Sequence, residues 1–175
     1  MNAAGKLALT LAFSAAVGYL VAIEAAPRAI MAAAMVRLAH DEAGAVTNRF
    51  RFLDASEADG RVLVRPSPDL LTSSCVYDVS HGAILVTAAP GADHGYDSVA
   101  IYAANSDNIA VFDSNGQPQG VRFVLAMPGQ AVPLGEAVVR ATTRKGVILD
   151  RRLVTDAAGY EAADRARRAD ICKRI

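Results

Sequence analysis

From Leu7 to Ile23 the chain runs for about 17 residues without a charge, directly after Lys6, and a helix of that length reaches the lower limit for crossing a bilayer. Leu7, Leu11, Phe13, Val17, Leu20 and Ile23 spread over every face of such a helix. A domain of this size seldom buries a helix that is apolar all round. A cleaved signal peptide is the competing reading, because a basic residue precedes the apolar run. Its exit does not suit cleavage. A cut after Ala25 or Ala26 would put Ile23 or Glu24 three residues upstream, and Pro27 would directly follow the second. Residues 1–25 are therefore expected to stay as a transmembrane anchor. Pro27 predicts a break or restart of the helix. Beyond it Ile30, Met31, Met35 and Leu38 recur at helical spacing, which predicts a separate amphipathic juxtamembrane helix within 26–44.

The side of the membrane is read from two opposed signals. Arg28 and Arg37 after the apolar run outweigh Lys6 before it, and this favours a cytoplasmic domain. Cys75 and Cys172, the two cysteines of the chain, leave two readings open. They could close a loop of about 97 residues, a bond that persists only in an oxidising compartment, or they could be two unrelated thiols.

Beyond the anchor roughly 130 residues remain, enough for one core and too few for two. Lys and Arg total 18, as do Asp and Glu, so no global field attracts nucleic acid. The absence of Trp also argues against a base-stacking platform. From Gly44 onward the apolar period shortens from helical to two. Phe50, Phe52, Val62, Val64, Val76, Ile84, Val86, Val99, Ile101, Ile109, Val111, Val121, Phe123, Leu125, Val138, Val147 and Leu149 fall in short alternating stretches. Between them stand turn dipeptides: Asp59-Gly60, His81-Gly82, Pro90-Gly91, Asn115-Gly116, Pro128-Gly129 and Lys145-Gly146. Residues 45–175 are accordingly expected to form a mainly β domain, an antiparallel β-sandwich or partly closed barrel. Its last element reads as a helix from Ala157 to Ile171, with Thr155 or Asp156 as N-cap.

Two segments carry a family resemblance. Pro68, Asp69, Ser73, Ser74, Asp78 and Ser80, within 67–80, match a Pro-Asp…Ser-Ser…Asp-x-Ser pattern, while Ser67, Leu70 and Thr72 depart from the Asn, Thr and Tyr usual there. The run Tyr102-Ala103-Ala104-Asn105-Ser106-Asp107-Asn108 matches a strand, an Asn-x-Asp-Asn turn and a second strand. Together they resemble the bacterial family known as domain of unknown function 1254, in particular its short membrane-anchored members. The resemblance implies a β-rich domain facing the periplasm, a Cys75–Cys172 disulfide and a companion protein of another uncharacterised family. It implies no activity, substrate or catalytic residue.

Other polar clusters are read on their chemistry. Asp93, His94 and Asp97 bring together metal-ligating residue types, but one His and two Asp in a loop lack diagnostic spacing. Asn105 to Asn108 and Asp113 to Gly116 offer hard oxygens suited to calcium, without the closing Glu of an EF-hand loop. No metal or cofactor is expected from either. Ser73 and Ser74 lack a Gly-x-Ser-x-Gly elbow. Arg165, Arg167, Arg168, Lys173 and Arg174 read as a solvated basic helix face and tail, with contact to anionic headgroups as the alternative. The expectation is a single-pass inner-membrane protein whose periplasmic domain is a non-catalytic accessory or scaffold subunit. The alternatives are a binding module for a small apolar or lipid-like ligand and an envelope hydrolase using Ser73 or Ser74.

Overall fold

The computed structural model describes residues 2–41, 44–53, 69–91 and 95–175. The expected strand through Val62 and Val64, the turn at Asp59-Gly60, and Pro68, Asp93 and His94 lie outside these residues. Helix α1 (Ala3–Ala39) opens the chain, with the Gly5 amide donating to the Asn2 side chain at its N-cap. The expected break at Pro27 does not occur, and the anchor and juxtamembrane segments form one continuous helix. Pro27 cannot donate to the Ile23 carbonyl. Flanking Ala, a strong helix former, and the Arg28–Glu24 pair at 2.7 Å hold the turns on both sides of it.

A short hairpin follows, β1 (His40–Asp41) with β2 (Gly44–Ala45). The domain proper then uses β3 (Arg51–Phe52), β4 (Leu70–Asp78), β5 (Ile84–Ala88), β6 (Asp97–Ala103), β7 (Asn108–Asp113), β8 (Val121–Ala126), β9 (Val138–Arg140), β10 (Lys145–Leu153), α2 (Ala157–Arg167) and β11 (Ile171–Arg174). A five-stranded sheet has the order β3-β4-β10-β6-β7 and a four-stranded sheet the order β11-β5-β8-β9. Every pairing is antiparallel except β8 with β9. This is the sandwich rather than the partly closed barrel.

Period-two alternation builds the interior. Cys75 and Tyr77 from β4, Val99 and Ile101 from β6 and Ile148 from β10 meet Ile84, Val86, Phe123, Leu125 and Cys172 of the second sheet. Phe112 stacks on Phe123 with ring centroids 5.1 Å apart. The intervening residues face outward, and Val76 and Val147 pack beneath Leu38, Met31 and Met35 of α1. Ile30, expected on that apolar face, is 69% exposed.

Two corrections concern local elements. Lys145-Gly146 is not a turn but the start of β10, because a Cβ at Gly146 would strike the Tyr102 carbonyl and stand 2.5 Å from the Tyr77 hydroxyl. Glycine in a strand here allows a close backbone approach. The C-terminal helix ends at Arg167, and Cys172 belongs to β11 rather than to a tail after the helix. Asp156 is its N-cap, accepting from the Gly159 amide.

The sandwich has distinguishable ends. The Ser106 hydroxyl donates to the Pro27 carbonyl at 3.1 Å, so the β6–β7 turn stands where α1 leaves the domain. The turns at 79–82, 127–130 and 141–145 share this end, with the Val79 amide donating to Arg144 and the Gln130 amide group donating to Val79. At the far end β10 runs out into α2.

Candidate functional site

The inward row that carries Val99 and Ile101 along β6 continues at the far end with Asp97, and the row of Ile148 along β10 continues with Asp150 and Arg152. The interior thus changes from apolar to ionic without changing face. Asp170, in the link between α2 and β11, closes the cluster. Arg152 donates to Asp150 through Nε at 2.9 Å, and through Nη2 to both Asp170 oxygens at 3.0 and 3.1 Å and to the Ala89 carbonyl at 3.2 Å. Asp170 in turn accepts from the Ala89 amide at 2.8 Å. The Arg152 side chain is 2% exposed and its two carboxylate partners 0%. A cleft of about 490 Å³ between β10 and α2, lined by Arg152, Tyr96, Thr155 and Gly159 among others, borders the cluster.

Three carboxylates meet one guanidinium here. The Asp97 carboxylate is buried and makes no well-aligned hydrogen bond among the described residues, although the Gly91 backbone and the Ser114 hydroxyl lie beside it. Burial raises Asp97 above the usual carboxylate range, with Arg152 opposing and Asp150 adding to the rise. Burial, followed by the Asp150 charge, pushes Asp170 up to about 7 against the pull of Arg152. Asp170, beside the Asp150 carboxylate and raised furthest, is where the cluster keeps its proton. The groups titrate together.

The pH dependence follows from the sign of these shifts. The folded cluster holds a proton that an unfolded Asp releases near about pH 4. Its stabilisation is complete below that value and declines as pH rises toward about 7. Urea midpoints are expected to fall between about pH 5 and about pH 8, and Asp170→Asn to flatten the curve. A wild-type midpoint that stays level or climbs over this range would contradict the assignment.

Ser73 and Ser74 lie within β4, on opposite faces of the strand. Ser73 faces inward and its hydroxyl donates to Asp150 at 3.5 Å, a weak bond. Ser74 points to the opposite face, buried. Among the described residues neither bonds to a histidine. Asp69 leads into β4, where its carbonyl accepts from Val154. Asp78 ends that strand, and its side chain accepts from the Ser80 amide and pairs with Lys145 at 3.2 Å. Asn105 and Asp107 bond each other across the β6–β7 turn, and Asn108 begins β7. The two acidic-amide clusters lie at opposite ends of β7, about 17 Å apart along a six-residue strand. They cannot share an ion. Of Asp93, His94 and Asp97, from which no metal site is expected, only Asp97 is described, and it belongs to the ionic cluster.

The basic helix face requires the largest correction. Arg167 is fully buried, donating to the Leu53 and Thr72 carbonyls at 3.0 and 2.9 Å, pairing with Asp164 and lying 5.5 Å from the Phe52 ring centroid. It is a bolt between α2 and the β3–β4 edge. Arg168 pairs with the same Asp164 at 2.8 Å. Cys75 and Cys172 form a disulfide that joins β4 of one sheet to β11 of the other, with Cα atoms 6.6 Å apart.

A β-sandwich with an inter-sheet disulfide and a buried ionic end is the class these features define. The profile of the family described as protein of unknown function, DUF1254, matches residues 47–173, and the chain belongs to that family. A crystal structure of a protein from Vibrio parahaemolyticus is similar to it, with a TM-score of 0.60 and 18% identity over 74% of this chain and 31% of that one. A second, of an uncharacterised protein from Burkholderia cenocepacia, has a TM-score of 0.48 and 17% identity over 83% of this chain and 40% of that one. The chain thus spans about a third of the length of the Vibrio protein. No curated protein matches it.

Proposed function

We propose that this chain is a single-pass protein of the bacterial inner membrane whose periplasmic sandwich serves as a non-catalytic accessory or scaffold subunit of a membrane or envelope complex. The observation that carries the proposal is α1. It is long and apolar enough to cross a bilayer, its most apolar window is 0% buried, and it continues unbroken into turns packed on the sheet. A soluble domain would leave that apolar surface in water. The disulfide supports the oxidising side of the membrane against the charge count around the anchor. The groups that catalysis would recruit hold strands together instead: Ser73 and Arg152 on Asp150, Arg167 on β3 and β4. The ligand-module reading is less well supported, because apolar side chains from both sheets fill the interior.

The test is membrane extraction of the full chain with a mild detergent, followed by native-gel separation and amino-terminal analysis. The expected result is an intact amino terminus in the membrane fraction and a stoichiometric complex with one defined membrane or envelope protein. A mature chain starting near Ala26, or one that migrates alone under all gentle conditions, would refute the reading. Ser73→Ala and Ser74→Ala are expected to complement a deletion strain as well as wild type does. A loss beyond about tenfold in an assayed activity with the fold preserved, about 1.4 kcal/mol, would restore the hydrolase alternative.

A further inference from the structure

The end of the sandwich from which α1 emerges is basic. Arg140 closes β9, Arg144 and Lys145 lie at the start of β10, and Arg174 ends β11, all exposed. Strand register places them together. Val79 binds Arg144, Gln130 binds Val79, Arg140 donates to the Met127 and Gln130 carbonyls, and Arg174 packs where a Cβ on Gly82 would meet it. Among the described residues the carboxylates of this end are Asp78, paired with Lys145, Asp107, tied to Asn105, and Glu24, paired with Arg28 one turn nearer the apolar run. With Arg28, five cations therefore stand against three carboxylates among the described residues of this end.

The helix fixes where this end points. Ser106 is bonded to Pro27, only four residues after Ile23, so the turns lie about 6 Å along the helix axis from the end of the apolar run. No linker intervenes, because α1 is continuous. A cleft of about 360 Å³ opens at the same level between α1 and the turns, lined by Arg28, Ala32, Met35, Asn105 and Thr143 among others. We infer that the α1 end of the sandwich is a docking surface for anionic phospholipid headgroups, seated on the bilayer that the anchor crosses. Arg140, Arg144, Lys145 and Arg174 supply the charge, and the cleft beside Arg28 admits a headgroup. The inference rests on the membrane-anchor reading above and goes beyond it: the anchor alone would tether the domain above a bilayer of any charge, whereas this surface makes its seating depend on lipid composition.

The test uses the full chain in nanodiscs of phosphatidylcholine alone or with about 30% phosphatidylglycerol, read by amide hydrogen exchange. The expected result is slower exchange, by about threefold or more, in the turns at 79–82, 104–107 and 141–145 with the anionic lipid, and no change in α2 at the far end. Arg140→Glu, Arg144→Glu and Arg174→Glu combined should abolish the difference while α2 exchange stays that of wild type, which reports a preserved fold. Insertion with equal exchange in both lipids overturns the docking surface and leaves the anchor intact. A chain that fails to insert into either nanodisc overturns both.

Discussion

Replacing Cys75 and Cys172 together by alanine is expected to destabilise the domain by about 4 to 5 kcal/mol. The bond closes a loop with a sequence separation of 97, which contains most of the sandwich, and loop-closure entropy grows with that length. Position adds to entropy. Cys75 is 0% and Cys172 4% exposed, so the bond replaces two thiols inside the apolar layer where the sheets meet. β11 is a four-residue edge strand, paired among the described residues with β5 alone, and without the bond it would fray first. Urea unfolding of the full chain in detergent measures the loss, and faster amide exchange in 171–174 should accompany it. A cost below about 1 kcal/mol would mean that packing alone holds the sheets together.

Arg152→Met should cost about 3 to 5 kcal/mol at neutral pH, because Asp97, Asp150 and Asp170 would share a buried space without a counter-charge. The loss should shrink in acid, where protons take the place of the guanidinium. Adding Asp150→Asn to Arg152→Met should recover part of it. If the double variant is no more stable than the single one, then the aliphatic packing and the bond to the Ala89 carbonyl matter more than the charge.

Much of this architecture could be read from residue order, and what could not has particular causes. Alternation placed Val76, Val99, Phe123 and Ile148's neighbours in strands because one face of each is buried, and Asp156 announced α2 as a short acceptor at its start. Pro27 misleads because proline's local penalty is outweighed by good helix formers on both sides and by the seating of Met31, Met35 and Leu38 on the sheet. Lys145-Gly146 resembles a turn because the reason for its glycine, the nearby Tyr77 ring, lies 69 positions earlier in the chain. β11 is too short and too charged to show an apolar period. The ionic cluster did leave a sign. Asp97 precedes Val99 and Ile101 in the same parity, and Asp150 and Arg152 follow Ile148, so extending each row by one step puts charge toward the core. Asp170 left none, since its role is set by the turn after α2. Arg167 was equally hidden, because helical spacing to Asp164 suits an exposed pair as well as a buried one.

The cross-link also decides how the molecule would carry tension. If the membrane pulls on α1 while a partner holds the carboxyl end, the load passes from residue 75 straight to residue 172 through sulfur. The 96 residues between them form a covalently bypassed ring that bears no stretch. Only the segments before Cys75 and after Cys172 lie in the line of force. The first to be loaded is the seam where Met31, Met35 and Leu38 rest on Val76 and Val147, so a tug on the anchor would peel the helix from the sheet while the sandwich stays closed.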